Sequence, residues 1–357
     1  MLTGRDGRPR PTSRSPGTEA TTRRKHMTTR KIRSAVTRRG LLQAGAGVAG
    51  ILATGRAPVY AQAQPKKLDF ANILGAPDVG GIAMELFAKE ITARGKGEVE
   101  VRFHGGTLLA KEMEIMNAVK AGNVAIGSPA GAAATVFPEM GVLLVPYLVK
   151  DYAQAYSIMN GKIGDTLDKQ FQEKYKLKVL YYFDYGFRHF WTNGSAIVEP
   201  KDLRGKKIRV QLAKVFSDTI NGLGGNAVPM AWGEVVSAAK QGVIDGGDLP
   251  VANIDALKIY EVAKYTSLTY HNYGPTCVVM NLEALFMDVG REAQSKVRNL
   301  IESVDNFESA KKLLEPKGMT VVQGNVEAFR KIAEQKVWPT YKSQFGALFD
   351  EIAAFKA

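Results

Sequence analysis

From about residue 67 onwards, segments with apolar positions three and four residues apart alternate with short apolar runs. The first predicted strand covers residues 67–73, and a helix that Asp78 caps and Gly95 ends follows it. Apolar side chains with the first spacing share one face of a helix, whereas short apolar runs are typical of strands. Repetition of this order along the chain predicts an α/β fold.

The same spacing predicts further elements. Predicted strands cover residues 99–103, 124–126, 179–183, 207–210, 276–280 and 319–322, and predicted helices cover residues 111–121, 151–176, 213–223, 232–241, 253–263, 291–314 and 326–345. Residues 118–127 and 238–247 resemble each other, because in both a helix ends at Gly and a strand begins at once. This echo indicates two similar lobes, although glycine ends helices in many folds.

Residues 1–63 have the pattern of an export signal. Arg38 and Arg39 precede an uncharged segment rich in Gly and Ala, residues 41–54, which is too short to span a bilayer comfortably. Small-x-small cleavage sites follow at residues 59–61 and 61–63. Paired arginines resemble a twin-arginine signal, although Leu41 stands where Phe is usual. An uncleaved anchor is the alternative, and Met27 is the expected true start.

The net charge of +13 is concentrated in this leader. Residues 1–63 contain 13 of the 48 Lys and Arg residues and 2 of the 35 Asp and Glu residues, which leaves +2 for the remainder. A near-neutral body gives little support to nucleic-acid binding through many phosphate contacts. The length of 357 residues suffices for one large or two medium domains.

Motifs for metal, nucleotide or covalent chemistry are missing from the sequence that follows the leader. The histidines are scattered, and the single cysteine, Cys277, lies in an apolar run that predicts a buried, inert thiol. We therefore expect no metal and no cofactor. A carboxylate pair for hydrolysis can always be drawn from a sequence, so a periplasmic hydrolase stays open as an alternative.

Two arginines beside predicted strands are candidate ligand-binding residues. Arg209 alternates with Ile208 and Val210, so it faces away from them, and its planar guanidinium matches a carboxylate. Arg188 lies among aromatic residues, where it either stacks structurally or borders an apolar-walled pocket. A solvated surface arginine is the alternative for Arg209.

Several motifs, in order, resemble the solute-binding proteins of tripartite ATP-independent periplasmic (TRAP) transporters, the dicarboxylate-binding DctP-like family, over roughly residues 67–350. They are Glu85-Leu86-Phe87-Ala88-Lys89-Glu90, Pro146-Tyr147-Leu148, Gly186-Phe187-Arg188, Asp202-Leu203-Arg204-Gly205-Lys206-Lys207-Ile208-Arg209-Val210, Pro229-Met230-Ala231-Trp232-Gly233-Glu234-Val235 and Gly242-Val243-Ile244-Asp245-Gly246-Gly247-Asp248. Each motif is weak alone, and the ordered set is specific.

The resemblance implies a two-lobed, periplasmic-binding-protein-like fold with mixed sheets, hinge strands and a long lobe-spanning helix. Lobe I would comprise residues 64–185 and about 274–315, and lobe II residues 186–273 and about 316–357. The ligand would lie between the lobes, and the cleft would close by hinge motion.

The resemblance also assigns roles to residues. Arg209 matches the arginine that binds the substrate carboxylate, Arg188 matches a second basic contact, and Trp232 matches an aromatic wall. Asp248 begins the triplet Asp248-Leu249-Pro250, where the family usually has Glu-Asn-Pro. It would accept a hydrogen bond from a ligand hydroxyl or cap a helix near Asn253. With Leu249 next to it and small residues at 128–134, we expect a ligand with fewer polar groups than a sialic acid.

The sequence thus predicts a monomeric periplasmic protein, exported by the twin-arginine or Sec pathway, that is not an enzyme. It would capture a small hydroxy, keto, aromatic or dicarboxylic acid and deliver it to TRAP membrane permease subunits. A uronic acid remains an alternative ligand. A ligand sensor for a membrane regulator is an alternative function, ahead of the hydrolase.

Overall fold

The computed structural model describes residues 65–109, 111–281 and 301–355, and in it nine strands form one mixed sheet. The strands are β1 (Lys66–Asn72), β2 (Val99–Gly105), β3 (Ile126–Ser128), β4 (Leu177–Thr192), β5 (Lys207–Val210), β6 (Asn226–Pro229), β7 (Gly246–Leu249), β8 (Tyr265–Asn281) and β9 (Thr320–Gln323). Their order is β2-β1-β3-β8-β4-β7-β5-β6, and β9 pairs with β8.

The antiparallel strands β4 and β8 lie at the centre of this sheet. One group of strands, β1 to β3, joins at the end of the pair where β3 pairs with Val279 and Met280 of β8. A second group, β5 to β7, joins at the opposite end, where β7 pairs with residues 189–192 of β4. Between these ends the register of the pair shifts, between Asp184 and Phe187.

Helices cover the sheet. They are α1 (Val79–Arg94), α2 (Glu112–Lys120), α3 (Ala133–Val136), α4 (Tyr152–Met159), α5 (Lys162–Tyr175), α6 (Lys214–Leu223), α7 (Val235–Lys240), α8 (Val251–Ala256), α9 (Phe307–Leu314), α10 (Val326–Lys336), α11 (Trp338–Phe345) and α12 (Ala347–Ala354). Short 3₁₀ helices cover Ala130–Ala132, Pro138–Leu144, Pro200–Leu203, Trp232–Glu234, Ile259–Glu261 and Glu315–Lys317. The predicted cap of α1 is confirmed, because the Asp78 carboxylate accepts from the backbone N–H of Gly81 at 2.9 Å.

The α/β class is confirmed, but several predicted elements have different lengths. The runs predicted at residues 179–183 and 276–280 are parts of β4 and β8, which contain 16 and 17 residues. Polar residues within both strands hid their length, since these positions are buried in the structure. The strand expected after Gly242 is β7, whereas β6 was not predicted.

Predicted long helices are interrupted in the structure. The helix predicted over residues 151–176 is divided into α4 and α5 by Asn160 and Gly161. The one predicted over residues 326–345 is divided at Val337, just before Pro339 at the start of α11, because proline favours the first turn of a helix. In the described part of the helix predicted over residues 291–314, Asn306 caps a new helix, α9.

The described residues all fall within one compact unit. Its buried side chains form three hydrophobic clusters, of which one includes residues from both ends of the β4 and β8 pair. The division into two lobes at residues 185/186 and 273/274 therefore stays a prediction. The proposed export signal lies outside the described residues, as do residues 291–300 of the helix predicted over residues 291–314. Among the helices that are described, none has the length and apolarity to cross a membrane.

Candidate functional site

Arg209 is a buried cation at the end of β5. Its side chain is 2% exposed, and Nε and Nη2 both donate to the carbonyl oxygen of Met230, at 3.0 and 2.7 Å. Burial, together with the nearby charge of Arg188, lowers the pKa of Arg209 to about 10, so the guanidinium stays charged at neutral pH. None of the ion pairs among the described residues includes Arg209.

A cavity adjoins this guanidinium. About 40 Å³ of its space admits the centre of a water molecule. Its lining residues come from β4, β5, β7, α2 and α8 and from the segments that connect such elements. They are Ile73, Leu74, Glu112, Ala130, Tyr185, Arg188, Arg209, Gln211, Trp232, Leu249, Pro250, Asn253 and Leu257.

The structure brings three of the four predicted site residues to this cavity. The Trp232 ring lies 5.6 Å from the guanidinium carbon of Arg209, within the range of a cation–π contact. Arg188 lines the cavity as well, and its guanidinium lies 5.3 Å from the Phe216 ring. The arrangement combines a buried cation with apolar and aromatic walls, as pockets for small organic anions require.

Arg188, unlike Arg209, has a carboxylate partner. Its Nε and Nη2 donate to the two carboxylate oxygens of Asp248, at 2.6 and 2.9 Å, and both side chains are almost completely buried. The Arg188 charge holds the pKa of Asp248 well below its usual range. Gly186, two residues earlier, lies at the register shift of β4 and has a φ of 102°, in a region that other residues avoid.

Asp248 is not among the residues that line the cavity. Its carboxylate accepts from Arg188 and lies 3.3 Å from Nε2 of His271, whose own pKa is lowered by burial. The expectation that Asp248 caps a helix is wrong, because α8 follows Pro250 and no side chain caps it. The proposed contact between Asp248 and a ligand hydroxyl stays a prediction, and this geometry favours an indirect role, in which Asp248 orients Arg188.

Sequence reasoning did not identify the polar side of the cavity. Glu112, the first residue of α2, is 5% exposed, and its Oε2 has no hydrogen-bond partner. Asn253 of α8 donates from Nδ2 to the Asp78 carboxylate at 2.6 Å, and its Oδ1 has no partner. Oε1 of Gln211 is also buried and unpartnered. No local motif marks these residues, because only folding brings α2, β5 and α8 together.

Other buried polar groups lie away from the cavity. Cys277 is buried as expected, and burial raises the pKa of its thiol to about 12, which makes it a poor nucleophile at neutral pH. His189 contacts Asp305 at 2.6 Å inside the protein. Across the described part of the chain, no group of three or more His, Cys, Asp or Glu side chains is arranged to hold a metal ion.

Comparison with known proteins places this arrangement in a family. Residues 70–344 match the family described as bacterial extracellular solute-binding protein, family 7, or DctP. A solute-binding protein of Verminephrobacter eiseniae is 32% identical over 278 residues, which cover 74% of this chain and 82% of that protein.

Solved structures of similar proteins agree with the fold. A TRAP periplasmic solute-binding protein from Polaromonas sp. JS666, bound to D-erythronate, matches with a TM-score of 0.76 and 26% identity, over 83% of this chain and 100% of that one. One from Sulfurospirillum deleyianum, bound to succinate, matches with a TM-score of 0.74 and 26% identity, over 81% and 99%.

Proposed function

Because this chain belongs to family 7 of the bacterial extracellular solute-binding proteins, the periplasmic, non-enzymatic binding proteins of TRAP transporters, we propose that it captures a small organic carboxylate in the cavity beside Arg209. It then delivers this anion to the membrane permease subunits of its transporter. The route of export, through the twin-arginine or the Sec pathway, is part of the same proposal.

Arg209 is the observation that carries this proposal. A buried guanidinium is costly unless an anion compensates its charge. Asp248 and Glu112 act on Arg209 from a distance, but none of the described ion pairs gives it a carboxylate in direct contact. A ligand carboxylate at the cavity would accept two parallel hydrogen bonds from a planar guanidinium. The apolar walls formed by Leu249, Pro250 and Leu257 exclude water and so strengthen that pair.

The size of the cavity limits the ligand to a small molecule. The accessible volume of about 40 Å³ lies far below the usual range for ligand pockets, roughly 300–1,000 Å³, as in a cavity that is almost closed. Only a few water molecules fit within the space that admits water centres, since each needs roughly 10–15 Å³ of such space. A small acid therefore fits if it enters while the cavity is more open.

The cavity would open and close if the two groups of strands, at opposite ends of the β4 and β8 pair, moved relative to each other. Glu112 and Ala130 border the cavity from the side of β1 to β3, and Arg209 and Trp232 from the side of β5 to β7. A ligand that contacts both sides stabilises the closed arrangement only, and this difference drives closure.

Thermal unfolding against a panel of organic acids and uronates tests this function, with neutral sugars and amino acids as controls. A ligand at 100 times its Kd adds about 2.7 kcal/mol to the free energy of unfolding, which is a readily measured shift. In Arg209→Ala we expect binding to weaken by about 2–5 kcal/mol, the range for loss of one partner of a buried charge pair.

Arg204→Ala is the matched control, because Arg204 is an exposed arginine near the same strand. It should bind as the wild-type protein does. Shifts with neutral sugars or amino acids alone, or unchanged affinity in Arg209→Ala, would contradict the proposal.

A further inference from the structure

A buried hydrogen bond joins two helices that belong to different groups of strands. Helix α1 connects β1 to β2 in the first group, whereas α8 follows β7 in the second. Nδ2 of Asn253, in α8, donates to Oδ1 of Asp78, the cap of α1, at 2.6 Å, and the two residues are 3% and 1% exposed. The helices are anchored separately, because Val79 of α1 and Ile254 of α8 lie in different hydrophobic clusters.

The two carboxylate oxygens of Asp78 have separate partners. Oδ2 accepts from the backbone N–H of Gly81 and so caps α1, while Oδ1 accepts from the amide of Asn253. A cap needs only an oxygen close to the start of the helix, and a serine side chain supplies one as well. The bond to Asn253 is therefore a second role of Asp78, which capping alone does not require.

This hydrogen bond lies between the cavity and a groove on the surface. Asn253 lines the cavity. Pro77 and Val79, on either side of Asp78 in the sequence, line the groove together with Ala252. If α1 and α8 moved apart, the cavity and the groove would join at this point.

We propose that the hydrogen bond between Asp78 and Asn253 is a latch, which holds the two groups of strands together beside the cavity in the absence of any ligand. Within the described sheet the two groups are connected only through β4 and β8, so a bond between α1 and α8 opposes their separation directly. A hydrogen bond to a charged group shifts such an equilibrium by at least about tenfold. The latch goes beyond the proposed function, because it needs no carboxylate.

Pulsed electron paramagnetic resonance with two spin labels measures the closed and open populations of the ligand-free protein, after carried-over ligand is removed by unfolding and refolding. The labels are attached at Lys89→Cys, in α1, and at Lys258→Cys, just after α8, since both positions are exposed. Cys277 should stay unlabelled, because it is buried and burial raises the pKa of its thiol to about 12. The protein with the intact latch should show a closed population, with the shorter distance between the labels.

Two substitutions remove the latch from opposite sides. Asp78→Ser keeps a cap for α1 but is too short to reach Asn253, and we expect the ratio of closed to open molecules to fall at least about tenfold. Asn253→Ala should cause a similar fall, and the double variant should fall no further, because each change removes the same bond. Asp151→Ser is the matched control, since Asp151 caps α4 by accepting from the N–H of Gln154 at 2.7 Å. It should leave the ratio unchanged.

Three results would overturn the inference. A single open population in the ligand-free protein with the intact latch would show that the bond does not form without a ligand. Equal ratios in Asp78→Ser and Asp151→Ser would show that the bond does not hold the groups together. Additive effects of the two substitutions in the double variant would show that Asp78 and Asn253 act independently. The proposed function is tested separately, because none of these measurements contains a carboxylate ligand.

Discussion

Arg188 and Arg209 are both buried beside the same cavity, yet their surroundings give them different roles. Arg188 is held by Asp248 and lies over Phe216, so its charge is balanced within the protein. Arg209 is held by one carbonyl oxygen and the Trp232 ring. Arg188 therefore belongs to an internal ion pair beside the cavity, and Arg209 is the cation that we propose pairs with the ligand carboxylate.

The ion pair of Arg188 and Asp248 predicts a large effect of neutralising the acid. Asp248→Asn leaves a buried guanidinium without its charged partner, and we expect a loss of about 3–5 kcal/mol in the free energy of unfolding. Urea denaturation at neutral pH measures it. The control is Asp255→Asn, which breaks the partly exposed pair with Lys317 and should cost less than about 1 kcal/mol. Similar small losses in both variants would contradict this reading.

At the scale of elements, the start of α1 connects to the start of α8. The Asp78 carboxylate accepts from the backbone N–H of Gly81 and from the amide of Asn253. Burial raises the pKa of Asp78 to about 6, although these hydrogen bonds oppose the rise. One carboxyl group therefore caps a helix and also sets the orientation of an amide in the cavity.

A pH dependence follows from this raised pKa. The folded protein binds a proton on Asp78 up to about pH 6, whereas the unfolded chain releases it near pH 4. Its contribution to stability is therefore full below pH 4 and is lost as the pH rises through 6, by roughly 3 kcal/mol. We expect Asp78→Asn to gain stability relative to the wild-type protein over this range.

Urea denaturation of both proteins between pH 4 and 7 measures this difference. Titration of the other carboxylates is common to both proteins and cancels in the comparison. A difference that does not change with pH would show that Asp78 has an ordinary pKa.

The sequence echo of residues 118–127 and 238–247 also has a structural counterpart at this scale. Gly122 and Gly242 end α2 and α7 with φ of 76° and 70°, and β3 and β7 follow. A Cβ atom at Gly127 would lie 2.7 Å from side chains of α2, and one at Gly247 would lie 2.6 Å from Trp191. The small residue in each strand thus permits close packing, which explains the shared pattern.

For the whole molecule, the long pair of β4 and β8 is the only sheet connection between the two groups of strands among the described residues. Its register shifts near Asp184 and Phe187, and the predicted lobe boundary at residues 185/186 lies at that point. Such a connection allows the two ends to rotate relative to each other with few changes in hydrogen bonding.

We therefore expect small-angle X-ray scattering to give a smaller radius of gyration with a saturating carboxylate than without ligand. Arg209→Ala with the same acid provides the control and should remain in the larger form. An unchanged radius of gyration in the wild-type protein, at a ligand concentration shown by calorimetry to saturate it, would contradict the two-lobed prediction.

The sequence by itself determined the α/β class, the cap at Asp78, the burial of Cys277 and the family, because these depend on local spacing or on motifs in fixed order. It also identified Arg209 and Trp232, which lie in such motifs and line the cavity. The lengths of β4 and β8 were not apparent, since burial of their polar residues depends on partners distant in the chain.

Only the tertiary structure decided which charges are paired and which residues line the cavity. Asp248 lies 60 residues from Arg188, and Asn253 lies 175 residues from Asp78. Hydrogen bonds over such separations leave no periodic signal. The sequence indicated a ligand with fewer polar groups than a sialic acid, but it did not identify Glu112 and Asn253 at the cavity, because an unpartnered acceptor is defined only by its neighbours in space.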